Sequence, residues 1–382
     1  MRIAQGIRDA PPSKFEQSLK AAEEVKDLIS LSIGEPDFST PKHISEAGIQ
    51  AIKEGYTHYT NNYGLLDLRK AIASKMKKVN QVDVDHTGVL MTAGASLAID
   101  MAMRLFLESG DEVIIQDPGY FNYIYESYFI GAKIIPVKLH EENSFSLRAM
   151  DVEDLISQQT KLLVLNSPQN PTGSVIPERE LRKIADICLE HDIYVISDEI
   201  YEYLIYGEKH FSIASIPEML DISLTLNGFS KAYAMTGWRI GYAVGNPAFI
   251  QKMGTMQMYI NICAPSMSQR AALAALNGPQ DCVTNMVKEY KRRRSYLLTR
   301  LREMNIPCVN PGGAFYAFPN ISFLGSSDDI WRFLIDKAHV STTPGNMFGD
   351  QGEGYLRLSY ANSLSNIEQA LDRIEKIVRR KT

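Results

Sequence analysis

The chain has 382 residues, 45% of them hydrophobic, and a formal net charge of -5, which suits one large α/β domain with a satellite and leaves no electrostatic footprint for nucleic acid. Its four cysteines, Cys188, Cys263, Cys282 and Cys308, lie far apart with no Cys-x-x-Cys pair, so neither a disulfide framework nor a metal site is expected and a reducing compartment fits best. The N-terminus lacks the apolar run of a signal peptide and no segment approaches about eighteen consecutive apolar residues, so a membrane span is excluded and the cytoplasm is expected.

Residues 1 to about 30 read as an arm and then an amphipathic helix after Pro11 and Pro12, with Phe15, Leu19, Ala22 and Val25 able to share one face. The stretch Leu31-Ser-Ile-Gly-Glu-Pro-Asp-Phe38 is apolar but broken by Gly34 and Pro36, a turn of the kind that lets backbone approach a ligand. A helix over 43–54 ends at Gly55. The loop His58–Gly64, which carries Tyr59 and Tyr63, leads into a second helix through Leu65, Leu68, Ala71 and Ile72; tyrosines in such a loop are as readily turn packing as binding groups.

From about 87 to 245, β-rich apolar runs alternate with helical ones: Val89–Thr92, Glu112–Gln116, Ala132–Val137, Lys161–Asn166, Tyr194–Ser197, Ile222–Asn227 and Ile240–Val244. Continuous apolar strands separated by helices predict a mostly parallel sheet covered on both faces, with ligands beyond the carboxyl ends of the strands. The informative residues stand there. Thr92-Ala-Gly-Ala-Ser96 opens a helix, so the N–H groups of Ala95 and Ser96 would point outward as an anion site, although a small-residue turn before a helix is more often only packing, and no Gly-x-Gly-x-x-Gly dinucleotide fingerprint occurs. Tyr120, in Asp-Pro-Gly-Tyr, offers an aromatic face to a planar heterocycle, although core packing is the commoner use. In Asn166-Ser-Pro-Gln-Asn-Pro-Thr-Gly173 two prolines and a glycine fix Asn170 as a held donor amide. Asp198 and Tyr201 end another strand; alone, such a carboxylate is more often a helix cap. In Asn227–Tyr242, small and polar residues surround Lys231, which desolvation or a neighbouring cation such as Arg239 would make nucleophilic toward a carbonyl.

After about 281 the pattern becomes a long helix through Val283, Met286, Val287, Tyr290 and Leu297, whose basic cluster Lys291–Arg294 reads as a solvated face. A strand-like Gly313–Phe318 and an alternating Tyr355–Tyr360 carrying Arg357 follow. The last helix repeats apolar residues at Ile367, Ala370, Leu371, Ile374, Ile377 and Val378, one buried stripe, and the terminal cluster Arg379–Lys381 again reads as solvated. The boundaries expected are 1–45 for an arm and part of a small domain, 46–281 for a large cofactor-binding domain and 282–382 for the small C-terminal domain.

The string Ser230-Lys-Ala-Tyr-Ala-Met-Thr-Gly-Trp-Arg-Ile-Gly241 resembles the lysine segment of class I/II, fold type I, pyridoxal phosphate-dependent aminotransferases, and looks closest to the archaeal and bacterial aspartate and aromatic enzymes. Gly34-Glu-Pro-Asp-Phe38, Asn170-Pro-Thr-Gly173 and Asp198–Tyr201 fit the same family in order and spacing. The resemblance implies a large domain with a seven-stranded, mostly parallel sheet between helices, and a smaller α+β domain made from both chain ends. It implies Lys231 bonded to the cofactor's aldehyde and then serving as the base, Asp198 on the ring nitrogen, Asn170 and Tyr201 on the phenolic oxygen and Tyr120 stacked on the ring. Arg239, Ala95, Ser96 and Ser230 would lie at the phosphate, Arg357 with Gly34 and Asn170 at the substrate carboxylate, and Tyr59 at the phosphate of the neighbouring subunit of a homodimer. Gly228 departs from the pattern, standing where many relatives have a phosphate-binding serine or threonine.

The reaction so implied is a ping-pong transfer of an amino group from an L-amino acid to a 2-oxo acid such as 2-oxoglutarate. Aspartate is favoured as donor and aromatic amino acids come next. Arg104, Lys14 or a group from the partner subunit are the candidates for a distal carboxylate, and Tyr63, Tyr120, Phe121, Tyr123 and Phe348 for an apolar pocket. A carbon–sulfur β-lyase on the same fold is the alternative, opposed by Tyr201 where lyase relatives commonly carry histidine. A cofactor-sensing regulator is remoter still, since only about thirty residues precede the first family motif and none forms a basic recognition element.

Overall fold

The computed structural model describes residues 3–23, 25–207 and 209–378, without the side chains of Leu19, Ala22 and Glu23. The apolar face over Phe15, Leu19, Ala22 and Val25 is thus described only in part, although the helix itself runs Lys14–Glu23. The cluster Arg379–Lys381 lies outside the described residues.

A short strand β1 (Ile29–Ser30) precedes the seven strands of the main sheet: β2 (Val89–Thr92), β3 (Glu112–Asp117), β4 (Lys133–Lys138), β5 (Thr160–Asn166), β6 (Tyr194–Asp198), β7 (Ser223–Gly228) and β8 (Gly241–Gly245). Their spatial order is β2-β8-β7-β6-β5-β3-β4. Pairing is parallel throughout except that β8 runs antiparallel to both neighbours. Side chains alternate between faces along a strand, and both faces are dry. Leu162 and Val164 of β5 therefore enter one core with the helix Ala95–Phe106, while Leu163 and Leu165 enter another with the helix Glu178–Glu190. Two consequences place the site. The order reverses beside β3, where ligands gather in open α/β sheets. Because β8 is reversed, its beginning, next to Arg239, lies at the same sheet edge as the ends of β2 and β7, in the pairings Thr92↔Gly241 and Gly228↔Gly241.

The smaller unit joins both chain ends. β9 (Tyr316–Ala317), β11 (Thr343–Pro344) and β12 (Leu356–Ser359) form a three-stranded sheet in the order β11-β12-β9, and β1 pairs with β10 (Val340–Ser341). Ile29 and Leu31 share one core with Tyr316, Leu358 and the final helix, Leu364–Val378, which buries the whole apolar stripe from Ile367 to Val378. The helix Lys42–Lys53 runs across residue 45 and packs on the helix Ser266–Asn277. The cluster Lys291–Arg294 is not simply a solvated face: Arg293 is buried, because Asp37 at 2.7 Å and Glu289 at 2.9 Å complete its ion pairs inside the molecule. Cys188, Cys263, Cys282 and Cys308 are free thiols. No helix of the described residues is long and apolar enough to cross a membrane.

Candidate active site

The strand ends open onto a cleft of about 490 Å³. It is lined by Gly34, Ala95, Ser96, Tyr120, Asn170, Asp198, Tyr201, Ser230, Lys231, Arg239 and Arg357, so residues more than three hundred positions apart meet there. Tyr59 is absent from the lining and stands 78% exposed.

At the end of β6, Asp198 is 3% exposed and takes two hydrogen bonds, from the Ile200 amide to Oδ1 at 3.1 Å and from the Tyr123 hydroxyl to Oδ2 at 2.7 Å. Burial pushes its pKa up to about 6, and those two donors limit the rise. A buried carboxylate in this state is poised to receive a cation. Across the cleft the Lys231 amine donates to the Gly34 carbonyl at 2.7 Å. Burial lowers its pKa to about 8; Glu35 and Asp198 oppose that change, whereas Arg357 and Arg239 reinforce it. A neutral, nucleophilic amine is therefore within reach near neutral pH.

Arg239 occupies a left-handed backbone conformation, φ 50°, just before β8, an uncommon state for a bulky residue that concentrates at functional sites. Its guanidinium lies against Gly94, which has φ 85° and caps the helix Ala95–Phe106 without any side-chain acceptor for the first-turn N–H groups. An arginine beside unclaimed helix N–H groups makes a strong anion site. A Cβ at Gly94 would stand 2.5 Å from Arg239 Nη2. Gly94→Ala is accordingly expected to lower Tm by a few degrees, through about 1–2 kcal/mol of backbone strain, and to weaken inorganic phosphate binding about tenfold or more; thermal melts with and without phosphate measure both.

Arg357, on β12, is 3% exposed. It donates to Asn170 Oδ1 at 2.9 Å and to the Ser32 carbonyl, and its guanidinium lies over the rings of Tyr316 at 4.5 Å and Phe348 at 4.9 Å. Because the Asn170 carbonyl oxygen is taken, its NH2 group remains as the donor. The Asn170 backbone N–H is fixed by Asn166 Oδ1 at 2.8 Å. Nε of Arg357 is buried and has no partner among the described residues.

Several residues differ from the sequence reading. Tyr123 is not a pocket wall; its hydroxyl holds Asp198. Tyr316 had no assigned role, yet its hydroxyl bonds that of Tyr201 at 2.8 Å, and a Cβ at Gly34 would stand 2.1 Å from it. Tyr63 packs against Gly254, and Phe348 supports Arg357, so Tyr120 and Phe121 are the members of that aromatic set that line the cleft. Phe15 and Ile33 join them. Neither cation considered for a distal carboxylate lines it, since Arg104 pairs with Asp100 at 2.6 Å and Lys14 with Asp328 at 3.4 Å. Gly228 sits in a tight place: within β7, a Cβ there would come within 3.1 Å of Gly241 Cα and the Ile240 carbonyl, so a serine would require β8 to give by a few tenths of an ångström.

The family model described as aminotransferase class I and II matches residues 26–374. The chain is 44% identical over 375 residues to an aspartate aminotransferase of Pyrococcus abyssi, covering 97% of this chain and 96% of that one. It is 41% identical over 386 residues to aromatic-amino-acid aminotransferase 2 of Thermococcus litoralis, covering 100% and 99%. Among solved structures, the aromatic aminotransferase from Pyrococcus horikoshii OT3 superposes with a TM-score of 0.91 at 42% identity, covering 95% of this chain and 99% of that one.

Proposed function

Because the chain belongs to the aminotransferase class I and II family, we propose that its cleft passes an amino group between an L-amino acid, aspartate foremost, and a 2-oxo acid such as 2-oxoglutarate, in the two half-reactions of a ping-pong cycle. The chain is a transaminase and its cofactor is pyridoxal phosphate. What carries the reading is one cleft holding a desolvated lysine, a buried carboxylate opposite it and two arginines.

The residues present suit that cofactor. When bound, it supplies an aldehyde that takes up amines and a protonated ring that draws electrons from the substrate Cα. Arg239, the N–H groups of Ala95 and Ser96 and the Ser230 hydroxyl would hold the phosphate, in a cradle at Gly94 that a Cβ would fill. Tyr120 would cover a ring face, Asn170 and Tyr201 would share the phenolic oxygen, and Asp198 would keep the ring nitrogen protonated. Lys231 would anchor the cofactor through its amine, and the same amine is placed to take the proton from the substrate Cα and hold it within the cleft. Arg357, whose unpaired Nε a carboxylate oxygen would satisfy, clamps the α-carboxylate beside Gly34 and Asn170.

A second copy of the chain completes the site in this reading. Tyr59 at 78% exposure, together with the exposed Met258, Tyr259 and Ile260, supports an apolar contact between subunits that delivers Tyr59 to the partner's phosphate. The free thiols fit a cytoplasmic setting, and the division at 45/46 and 281/282 belongs to the same proposal.

Aromatic donors form a second reading, favoured by the stacked pair Phe15 and Phe121, 5.6 Å apart at the cleft, and by a cleft whose own-chain cations already have roles. A panel of aspartate, tyrosine, phenylalanine and alanine with 2-oxoglutarate ranks the two by kcat/KM. Glutamate formed from none of them would sink both. Arg357→Lys is expected to raise KM for every donor about tenfold or more, because one ammonium cannot replace the planar fork.

A further inference from the structure

The segment that supplies Asp198 and Tyr201 has a second face. Glu199 and Glu202 alternate with them in sequence and are 1% and 6% exposed, yet neither lines the cleft. Carboxylates this deep require compensation, and each has a cation. Glu199 accepts from His210 Nε2 at 2.7 Å, from the Ser212 hydroxyl at 2.7 Å and from the Ser197 hydroxyl at 3.0 Å. Glu202 is bonded by the Lys75 ammonium and by Asn80 Nδ2 at 2.7 Å. Burial works against the His210 charge, but the Glu199 carboxylate and its hydrogen bond outweigh it and hold the imidazole above its usual range. Lys75 is raised in the same way, with Glu202 outweighing burial. The phenols facing the cluster, Tyr203, Tyr233 and Tyr242, are pushed up by burial and stay neutral. With His210 protonated, the cluster is therefore electrically balanced.

A metal ion is not the natural occupant. Ligand atoms of Glu199, Glu202 and His210 do lie within 4.8 Å of one another, but the Lys75 ammonium already sits on Glu202. The closer connection is to the cleft. The Glu199 amide donates at 2.9 Å to the carbonyl of Leu226, the β7 residue in register with Asp198, and the Glu202 amide donates at 2.9 Å to the Glu199 carbonyl. A change of charge or position at Glu199 is thus felt one residue away, at the acid that faces the ring.

We propose that His210 is a positioning residue for the transamination site, acting through Glu199 to hold the Asp198 carboxylate in place and to keep the charge behind it balanced. The inference rests on the reading of Asp198 as the partner of the cofactor's ring nitrogen. Its test is the pH midpoint of the visible absorbance of the pyridoxal phosphate-loaded enzyme, a quantity that loosened packing does not move with a defined sign. His210→Gln keeps a donor over Glu199 but removes the cation, leaving an uncompensated carboxylate behind Asp198; the midpoint should rise by about half a pH unit or more. Adding Glu199→Gln removes that carboxylate, and the double variant should return to within about 0.2 unit of the wild type.

An unmoved midpoint in His210→Gln, or a double variant displaced further than the single one, overturns the proposal. His210→Ala replaces the glutamine variant, with the same outcomes, if the latter does not fold. Wild-type protein that gains no visible band with pyridoxal phosphate, or Asp198→Asn with an unchanged midpoint, refutes the site reading instead.

Discussion

Lys231→Ala is expected to lower kcat by about four orders of magnitude or more and to abolish the visible absorbance of the reconstituted enzyme, because anchoring and proton transfer both depend on one amine. Wild-type turnover in that variant would sink the mechanism. The same burial that makes the amine reactive costs stability in the cofactor-free protein. The amine titrates at about 8 in the folded chain against an ordinary value of 10.5, so between those values the unfolded chain binds more protons and stability rises with pH. The penalty is complete below about pH 8 and gone above about 10.5. Solvent still reaches this half-buried residue, and with that discount the penalty is on the order of 2 kcal/mol. Apo Lys231→Ala should therefore melt above the apo wild type at pH 7, with the gap closing as pH rises through that window; equal melting temperatures at pH 7 would count against a strained lysine.

The strand-and-helix rhythm from Val89 to Val244 was legible because buried parallel strands are written as continuous apolar runs, and all seven appear within a residue or two of where the sequence puts them. The strand order was not, since nothing local states that β8 inserts between β2 and β7. The site divides along the same line. Residues attached directly to a strand end, such as Asp198 and Lys231, were readable from position. Tyr123 and Tyr316 act by reaching groups 75 and 115 residues away, and their spacing carries no trace of that. Glu199 and Glu202 look like solvated acids in Asp-Glu-Ile-Tyr-Glu; the fold buries them because Lys75 and His210 arrive from elsewhere. A Gly-Gly-Ala-Phe-Tyr-Ala-Phe run was the available hint for Tyr316, since small residues before an aromatic mark a close approach.

Asp198→Asn should separate binding from catalysis. The amide is nearly isosteric: its oxygen can still accept from the Ile200 N–H while its NH2 group donates to the Tyr123 hydroxyl, which turns to accept, so cofactor affinity is expected to fall only about tenfold, whereas kcat falls by about two to four orders of magnitude for want of a charge to keep the ring nitrogen protonated. Parallel losses in both would mean that Asp198 serves only to hold the cofactor. The apo protein should again respond in the opposite direction. Asp198 titrates at about 6 in the folded chain against an ordinary 3.8, so the folded state binds more protons between those values and stability falls as pH rises through them. The penalty is complete above about pH 6, and apo Asp198→Asn is expected to melt above the apo wild type at pH 7 while matching it more closely near pH 4. Lys231 and Asp198 thus bear opposite charges that the apo cleft disfavours, and a ligand with an aldehyde at one end of a cationic ring relieves both; the increase in wild-type Tm on adding pyridoxal phosphate should shrink in either variant.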